Sequence, residues 1–140
     1  MNNHIASLIL TSMVSFPPVM VRLASAEPFP DLTANGWLVA GLSGKPPAGA
    51  TPPTLRFDAA GRVSGSTGCN RFSARFVLDG PLLAISAAAT TRMACPKPLM
   101  MQEAAFLRAL GEVTTFRAGA SGTLILAGEA GELFRLVPLR

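Results

Sequence analysis

The sequence is poor in the side chains on which most catalytic and metal sites depend. Its 140 residues include only two cysteines, one histidine and no tyrosine. These numbers exclude most metal sites and most Cys/His or Ser/His/Asp catalytic arrangements, because such sites need several of these groups in one place. We therefore expect no enzymatic activity, no bound metal and no cofactor.

Charge is also scarce, since charged residues make up 14% of the chain and hydrophobic residues 49%. This composition is too apolar for a disordered chain, and the length indicates one folded domain. The formal net charge is +4, and the arginines are scattered along the sequence. Binding of nucleic acid needs a clustered basic face, so no nucleic-acid partner is expected.

Residues 1–26 have the pattern of a secretory signal peptide. Ile5 to Val21 is largely apolar, and Ala24-Ser25-Ala26 matches the small-x-small motif of signal peptidase sites. The alternative is a buried N-terminal helix of the domain. The signal interpretation predicts a lead-in over residues 27–35 and a domain over residues 36–140, located in the periplasm or secreted.

Neither a lipid anchor nor a membrane span is expected in the mature chain. A lipoprotein carries a cysteine directly after its cleavage point, whereas the first cysteine here is Cys69. Beyond the signal, no stretch approaches the roughly 18 uncharged apolar residues that indicate a membrane helix. The only histidine, His4, would be removed with the signal.

The two cysteines allow a single intramolecular pairing, Cys69 with Cys95. An even number of cysteines in an exported protein favours a disulfide. Free buried thiols are the alternative. A reactive thiol is disfavoured because the chain has no Cys-x-x-Cys motif and the mature protein no histidine to activate a thiolate. Two thiolates alone also fall short of the four ligands of a structural zinc site.

Alternation of apolar and polar residues over 54–58 and 72–77, together with apolar runs bounded by turns elsewhere, predicts several short strands. They cover residues 36–40, 54–58, 62–65, 72–77, 82–86, 113–117, 123–127 and 132–137. Trp37, the only tryptophan, lies in the first strand; core packing is its favoured role, and ligand stacking is the alternative. The order of strands, one helix and further strands predicts an antiparallel α+β domain with the helix packed against the sheet.

One helix is predicted, over residues 99–110. Its apolar face comprises Leu99, Phe106, Leu107 and Leu110, while Gln102 and Arg108 are placed elsewhere. The Pro96–Pro98 segment suits a helix start, and Gly111 is predicted to end the helix. Three methionines near its start, Met93, Met100 and Met101, are interpreted as filler of the core.

Three segments resemble the META domain family, of the HslJ type. They are Gly68-Cys69-Asn70-Arg71-Phe72, Thr91-Arg92-Met93-Ala94-Cys95 and Glu103 to Leu110, and Trp37 and the Leu55–Gly65 hairpin fit the family's opening. The resemblance implies a mainly antiparallel, strongly curved sheet or partly open barrel with one helix packed on it. It also implies an envelope protein linked to heat shock or antibiotic resistance, and it offers no catalytic residues.

A disulfide would bring Asn70 and Arg71 close to Thr91 and Arg92. The simpler interpretation is that these four residues fix a pair of loops by hydrogen bonds, since Asn favours turns and Arg binds planar acceptors. The alternative is a patch that binds an anion or a partner. Glu103 could pair with one of the arginines, or could be a solvated charge.

Two functions therefore compete. The first is a non-enzymatic, monomeric envelope protein that binds another protein or the cell surface under stress. The second is a carrier of a small apolar ligand such as a lipid, because a curved sheet closed by a helix can hold a cavity. An enzyme is disfavoured: the Gly-rich segment around Ser64, Ser66 and Thr67 lacks the Lys-Ser/Thr pair and the following helix of a phosphate-binding loop.

Overall fold

The computed structural model describes residues 12–20 and 29–140. Most of the predicted signal peptide lies outside these residues, so that interpretation stays a prediction. Residues 12–20 have no regular secondary structure and are exposed, so this part of the N-terminus is not a buried helix of the domain. Within the two described ranges, no helix has the length and apolar character needed to cross a membrane.

Nine strands and one α-helix make up the domain. The strands are β1 (Gly36–Leu42), β2 (Thr54–Phe57), β3 (Arg62–Ser66), β4 (Arg71–Asp79), β5 (Leu82–Ile85), β6 (Ala89–Thr90), β7 (Thr115–Ala118), β8 (Leu124–Gly128) and β9 (Gly131–Pro138), and the helix is α1 (Lys97–Glu112). The eight strands predicted from the sequence are all present. The short strand β6, which has only two residues, was not among them.

The strands form a closed antiparallel barrel. Eight of them follow one another in the order β3-β2-β1-β9-β8-β7-β5-β4, and pairing of β4 with β3 closes the ring. The first half of β4 pairs with β3 and the second half with β5, so this strand turns the corner at which the ring closes. The mainly antiparallel, curved sheet with one helix is confirmed, whereas a partly open barrel is not what forms.

The centre of the barrel is filled by side chains. Phe106 of α1 is fully buried, and its ring lies 5.0 Å from that of Phe72 and 5.3 Å from that of Phe134, measured between centroids. Trp37 is buried in the same core, and its indole nitrogen donates a hydrogen bond to the carbonyl of Leu32 at 3.0 Å. The core-packing interpretation of Trp37 is therefore confirmed.

The helix is longer than predicted at both ends. It begins at Lys97, directly after Pro96, and continues through Gly111 to Glu112. Gly111 does not adopt the left-handed conformation of a helix-ending glycine; the chain leaves the helix through the extended residue Val113. Gln102, predicted to lie off the apolar face, is buried.

The methionines near the start of α1 are exposed, so their interpretation as core filler is wrong. Met93, Met100 and Met101 are all among the exposed large apolar side chains. Leucine and phenylalanine side chains of the strands and the helix already fill the barrel. The thioethers therefore lie on the surface around the beginning of the helix.

Candidate functional site

A disulfide joins Cys69 to Cys95, as the cysteine count predicts, with the two Cα atoms 6.0 Å apart. Cys69 lies in the turn between β3 and β4, and Cys95 lies just before α1. The bond therefore ties one end of the barrel to the start of the helix, across a sequence separation of 26 residues.

The turn that carries Cys69 is built by its own hydrogen bonds. The backbone N–H of Thr67 donates to the carbonyl of Asn70 at 2.8 Å, and the Thr67 hydroxyl accepts from the Asn70 N–H at 2.9 Å. Gly68 has a φ of +94°, a conformation that side chains disfavour. An added Cβ at Gly68 would also lie 2.6 Å from Nε2 of Gln102, so the turn needs glycine here.

Asn70 connects this turn to the segment before the helix. Its Oδ1 accepts hydrogen bonds from the Thr91 hydroxyl at 3.0 Å and from the Met93 N–H at 2.7 Å. Its Nδ2 donates to Oε2 of Glu103 at 3.2 Å and to the carbonyl of Met93 at 3.3 Å. For Asn70 and Thr91, the structure matches the simpler interpretation, in which they fix two loops.

Glu103 is neither a solvated charge nor the partner of an arginine. It is 9% exposed, and its Oε1 accepts a hydrogen bond of 2.8 Å from the Thr67 hydroxyl. Within residues 12–20 and 29–140, the only ion pair closer than 4.0 Å joins Arg135 and Glu132. Both expectations for Glu103 are wrong, because the carboxylate points inward and neutral donors hold it.

Gln102 is the second polar anchor of the helix, and it was not among the predicted site residues. Its Nε2 donates to the carbonyl of Thr67 at 3.0 Å, and its Oε1 accepts from the N–H of Ala48 at 2.6 Å. Ala48 lies in the connection between β1 and β2. Helical spacing could have identified Gln102 as a buried position. The buried residues of α1 recur at the period of one helix face; they are Gln102, Glu103, Phe106, Ala109 and Leu110.

Arg71 joins this network through its backbone alone: its N–H donates to the Thr91 hydroxyl at 3.0 Å, and its carbonyl accepts from the Thr91 N–H at 3.0 Å. The side chains of Arg71 and Arg92 are exposed, while Asn70 is buried. Arg92 lines a surface pocket of about 430 Å³ together with Met93, Met100 and Glu103; Arg71 does not line it. The structure therefore brings Asn70, Thr91 and Glu103 into contact but leaves the two arginines at the surface.

A second concavity, here called the helix groove, lies between the β1–β2 connection and α1. It has a volume of about 500 Å³ and shares no lining residue with the pocket beside the disulfide. Its apolar lining includes Pro46, Pro98, Met101 and Ala105, and its charged lining comprises Lys45, Arg108 and Glu112. The lining of the helix groove therefore combines apolar side chains with two cations and one carboxylate.

Replacing Asn70 with alanine should lower the free energy of unfolding by about 2–4 kcal/mol, because it removes bonds to a buried carboxylate and to the Met93 backbone. Urea unfolding followed by circular dichroism measures the change. Asn35→Ala is the matched control, since Asn35 is exposed, and should change stability by less than about 0.5 kcal/mol. Equal effects of the two variants would contradict the anchoring role of Asn70.

Comparison with known proteins gives a family and a fold. A family model described as the META domain matches residues 30–139. A Burkholderia xenovorans protein determined by NMR is similar to this chain, with a TM-score of 0.62 and 22% identity over 99% of each chain. No curated protein matches.

Two further solved structures are also similar. One, determined by NMR, has a TM-score of 0.59 and 28% identity, and the match covers 74% of this chain and 89% of that protein. The other is a crystal structure of a DUF4847 family protein from Bacteroides vulgatus, with a TM-score of 0.55 and 17% identity over 76% of this chain and 93% of that one.

The family match spans the whole barrel and the helix, from the residues before β1 to the residue after β9. It includes the disulfide, the turn at Asn70 and the buried face of α1. The chain therefore belongs to the META domain family.

Proposed function

We propose that this chain is an exported, non-enzymatic envelope protein that binds another protein through the helix groove, in a stress response of the kind its family resemblance implies. The observation that carries the proposal is the lining of this groove. It combines apolar side chains with Lys45 and Arg108, both exposed and both without an acidic side chain within 4.0 Å in the described residues.

The chemistry of the helix groove defines the partner. Met101 is 64% exposed, and a methionine side chain adapts its shape to different apolar surfaces. Lys45 and Arg108 favour carboxylates, and they outnumber the one acidic residue of the lining, Glu112. The fitting partner is a protein segment that inserts an apolar side chain flanked by acidic residues.

Export is supported by the disulfide. Disulfides persist in oxidising compartments such as the bacterial periplasm and are rare in the cytosol. Cys69 and Cys95 are the only cysteines of the chain, and both are used in this bond. The predicted signal over residues 1–26 and this bond are two independent arguments for the same compartment.

The packing of the barrel favours protein binding over the carriage of an apolar ligand. A carrier needs an interior cavity, whereas the rings of Phe72, Phe106 and Phe134 lie in contact at the centre. The polar side chains of the site also support a role without catalysis. Thr67, Asn70 and Gln102 bond to one another's backbone, to neighbouring loops or to Glu103, and so hold loops in place.

A photo-crosslinking amino acid placed at Met101 tests the proposal in living cells of the bacterial host. After irradiation we expect a discrete covalent adduct in the periplasmic fraction. The charge reversals Lys45→Glu and Arg108→Glu, made together, should reduce its yield about tenfold or more, since unfavourable charges at an interface oppose association.

Two controls make this experiment decisive. The same amino acid at Glu129, which is exposed in the β8–β9 turn, should give no discrete adduct. The reversal Arg117→Glu, at an exposed position outside the helix groove, should leave the Met101 adduct unchanged. Equal adducts at both positions, adducts only with cytoplasmic proteins, or no adduct at Met101 would each overturn the proposal.

A further inference from the structure

We propose that the pocket beside the disulfide binds a small organic cation, a primary ammonium group on a short apolar chain, with the Glu103 carboxylate as its counter-charge. This inference does not rest on the proposed partner, because the pocket and the helix groove share no lining residue. It assigns a ligand class to the one carboxylate that the fold buries in this region.

Glu103 is a buried carboxylate whose hydrogen bonds come from neutral side chains. The residue is 9% exposed, and its two oxygens each accept one hydrogen bond from a neutral side chain, Thr67 and Asn70. In the described part of the chain, no Lys or Arg nitrogen lies within 4.0 Å of it. Buried charges in proteins are normally paired, and a carboxylate with two oxygens still has acceptor sites after two such bonds.

Glu103 also borders an open pocket. It is one of the residues that line the pocket of about 430 Å³, although most of the residue is buried. A ligand that enters the pocket can therefore place a charged group against it. Asn70 also lines the pocket, and its bonds to Met93 and Glu103 hold the carboxylate in one orientation.

The walls of the pocket select the rest of the ligand. Met93, Ala94 and Met100 line one part of it, and the hydroxyl-bearing Thr90 and Thr91 line another. The Met100 sulfur lies 3.8 Å from Sγ of Cys69, so this wall of the pocket lies against the disulfide. Thioether and methyl groups accept an alkyl chain, so the fitting ligand joins one ammonium to a short apolar chain.

A divalent metal ion and an anion fit this pocket less well. The described residues contain no group of three or more His, Cys, Asp or Glu side chains that could hold a metal. An anion would meet the buried carboxylate and find one arginine, Arg92, which is exposed at the rim. The positive charge of Arg92 would also repel an added cation, so its removal should favour cation binding.

Titration with n-butylammonium, monitored by the backbone amide signals of the oxidised, full-length domain in NMR, tests the proposal. We expect saturable shifts at Asn70, Thr91 and Met93 with a Kd of about 1 mM, which corresponds to about 4 kcal/mol for a ligand of this size. The neutral analogue 1-butanol should cause no saturable shift at these residues. Glu103→Gln should weaken binding about tenfold or more, because it removes the charge.

The control on the same helix is Glu112→Gln, which removes an exposed carboxylate and should leave the Kd unchanged. Ala94→Trp fills the pocket without altering the bonds of Glu103. It should abolish the shifts while the melting temperature stays the same. If Glu103→Gln fails to fold, the result for Ala94→Trp tests the proposal in its place. Arg92→Gln should tighten binding. Equal Kd values for the wild type and Ala94→Trp, or shifts spread over all acidic residues, would overturn the proposal.

Discussion

Replacing Phe106 with alanine should lower the free energy of unfolding by about 3–5 kcal/mol, the range typical of a buried phenylalanine that leaves a cavity. Phe106 is 0% exposed and touches rings from two distant strands, Phe72 of β4 and Phe134 of β9. Its loss removes apolar contacts between the helix and both sides of the barrel. Urea unfolding monitored by tryptophan fluorescence measures the change, since Trp37 lies in the same core.

Phe29→Ala provides the matched control. Phe29 is 54% exposed and contacts one ring, that of Phe116, at 5.9 Å between centroids. Its replacement should lower stability by less than about 1 kcal/mol. A Phe106→Ala effect no larger than that of Phe29→Ala would show that the helix does not depend on this contact for its position.

Removal of the disulfide is expected to have the second large effect. The double variant Cys69→Ala with Cys95→Ala should be less stable than the oxidised protein by about 3–4 kcal/mol, because the unfolded chain regains the freedom of a long loop. The sequence separation of 26 residues sets this magnitude. Urea midpoints of the oxidised protein and the double variant give the difference.

Adding a reductant separates the effect of the disulfide on stability from the effect of replacing the two cysteine side chains. It should lower the midpoint of the wild-type protein and leave that of the double variant unchanged. The Asn70→Ala variant should also have a lower midpoint than the wild type when both are oxidised, since Asn70 bonds to Thr91 and Met93 as well as to the Cys69 sulfur. If reduction left the wild-type midpoint unchanged, the Cys69–Cys95 bond would not contribute to stability.

The strands, the helix and the cysteine pairing follow from local signals in the sequence. Alternation marks strands such as β2, and turns rich in glycine delimit others such as β8; proline at residues 96 and 98 marks the start of the helix. Two cysteines leave a single pairing. Closure of the barrel has no such signal, because it depends on β4 pairing with β3 along one half and with β5 along the other.

The site was harder to predict than the fold, since its polar residues behave against their usual preference. Glu and Gln are mostly exposed, yet Glu103 and Gln102 are buried because the turn at Thr67 offers them partners from outside the helix. Arg71 and Arg92 stand beside motif residues in sequence but face solvent. The exposed methionines show the converse: apolar composition alone does not place a side chain in the core.

Ring closure has a consequence for how this domain can be divided. The first strand of the chain, β1, pairs with the last, β9. A cut anywhere between Gly36 and Pro138 therefore yields two pieces, each with unpaired backbone along its borders. Unpaired strand edges promote pairing with other chains and aggregation, so we do not expect either piece to be a stable protein by itself. We therefore expect the domain to fold only as one unit.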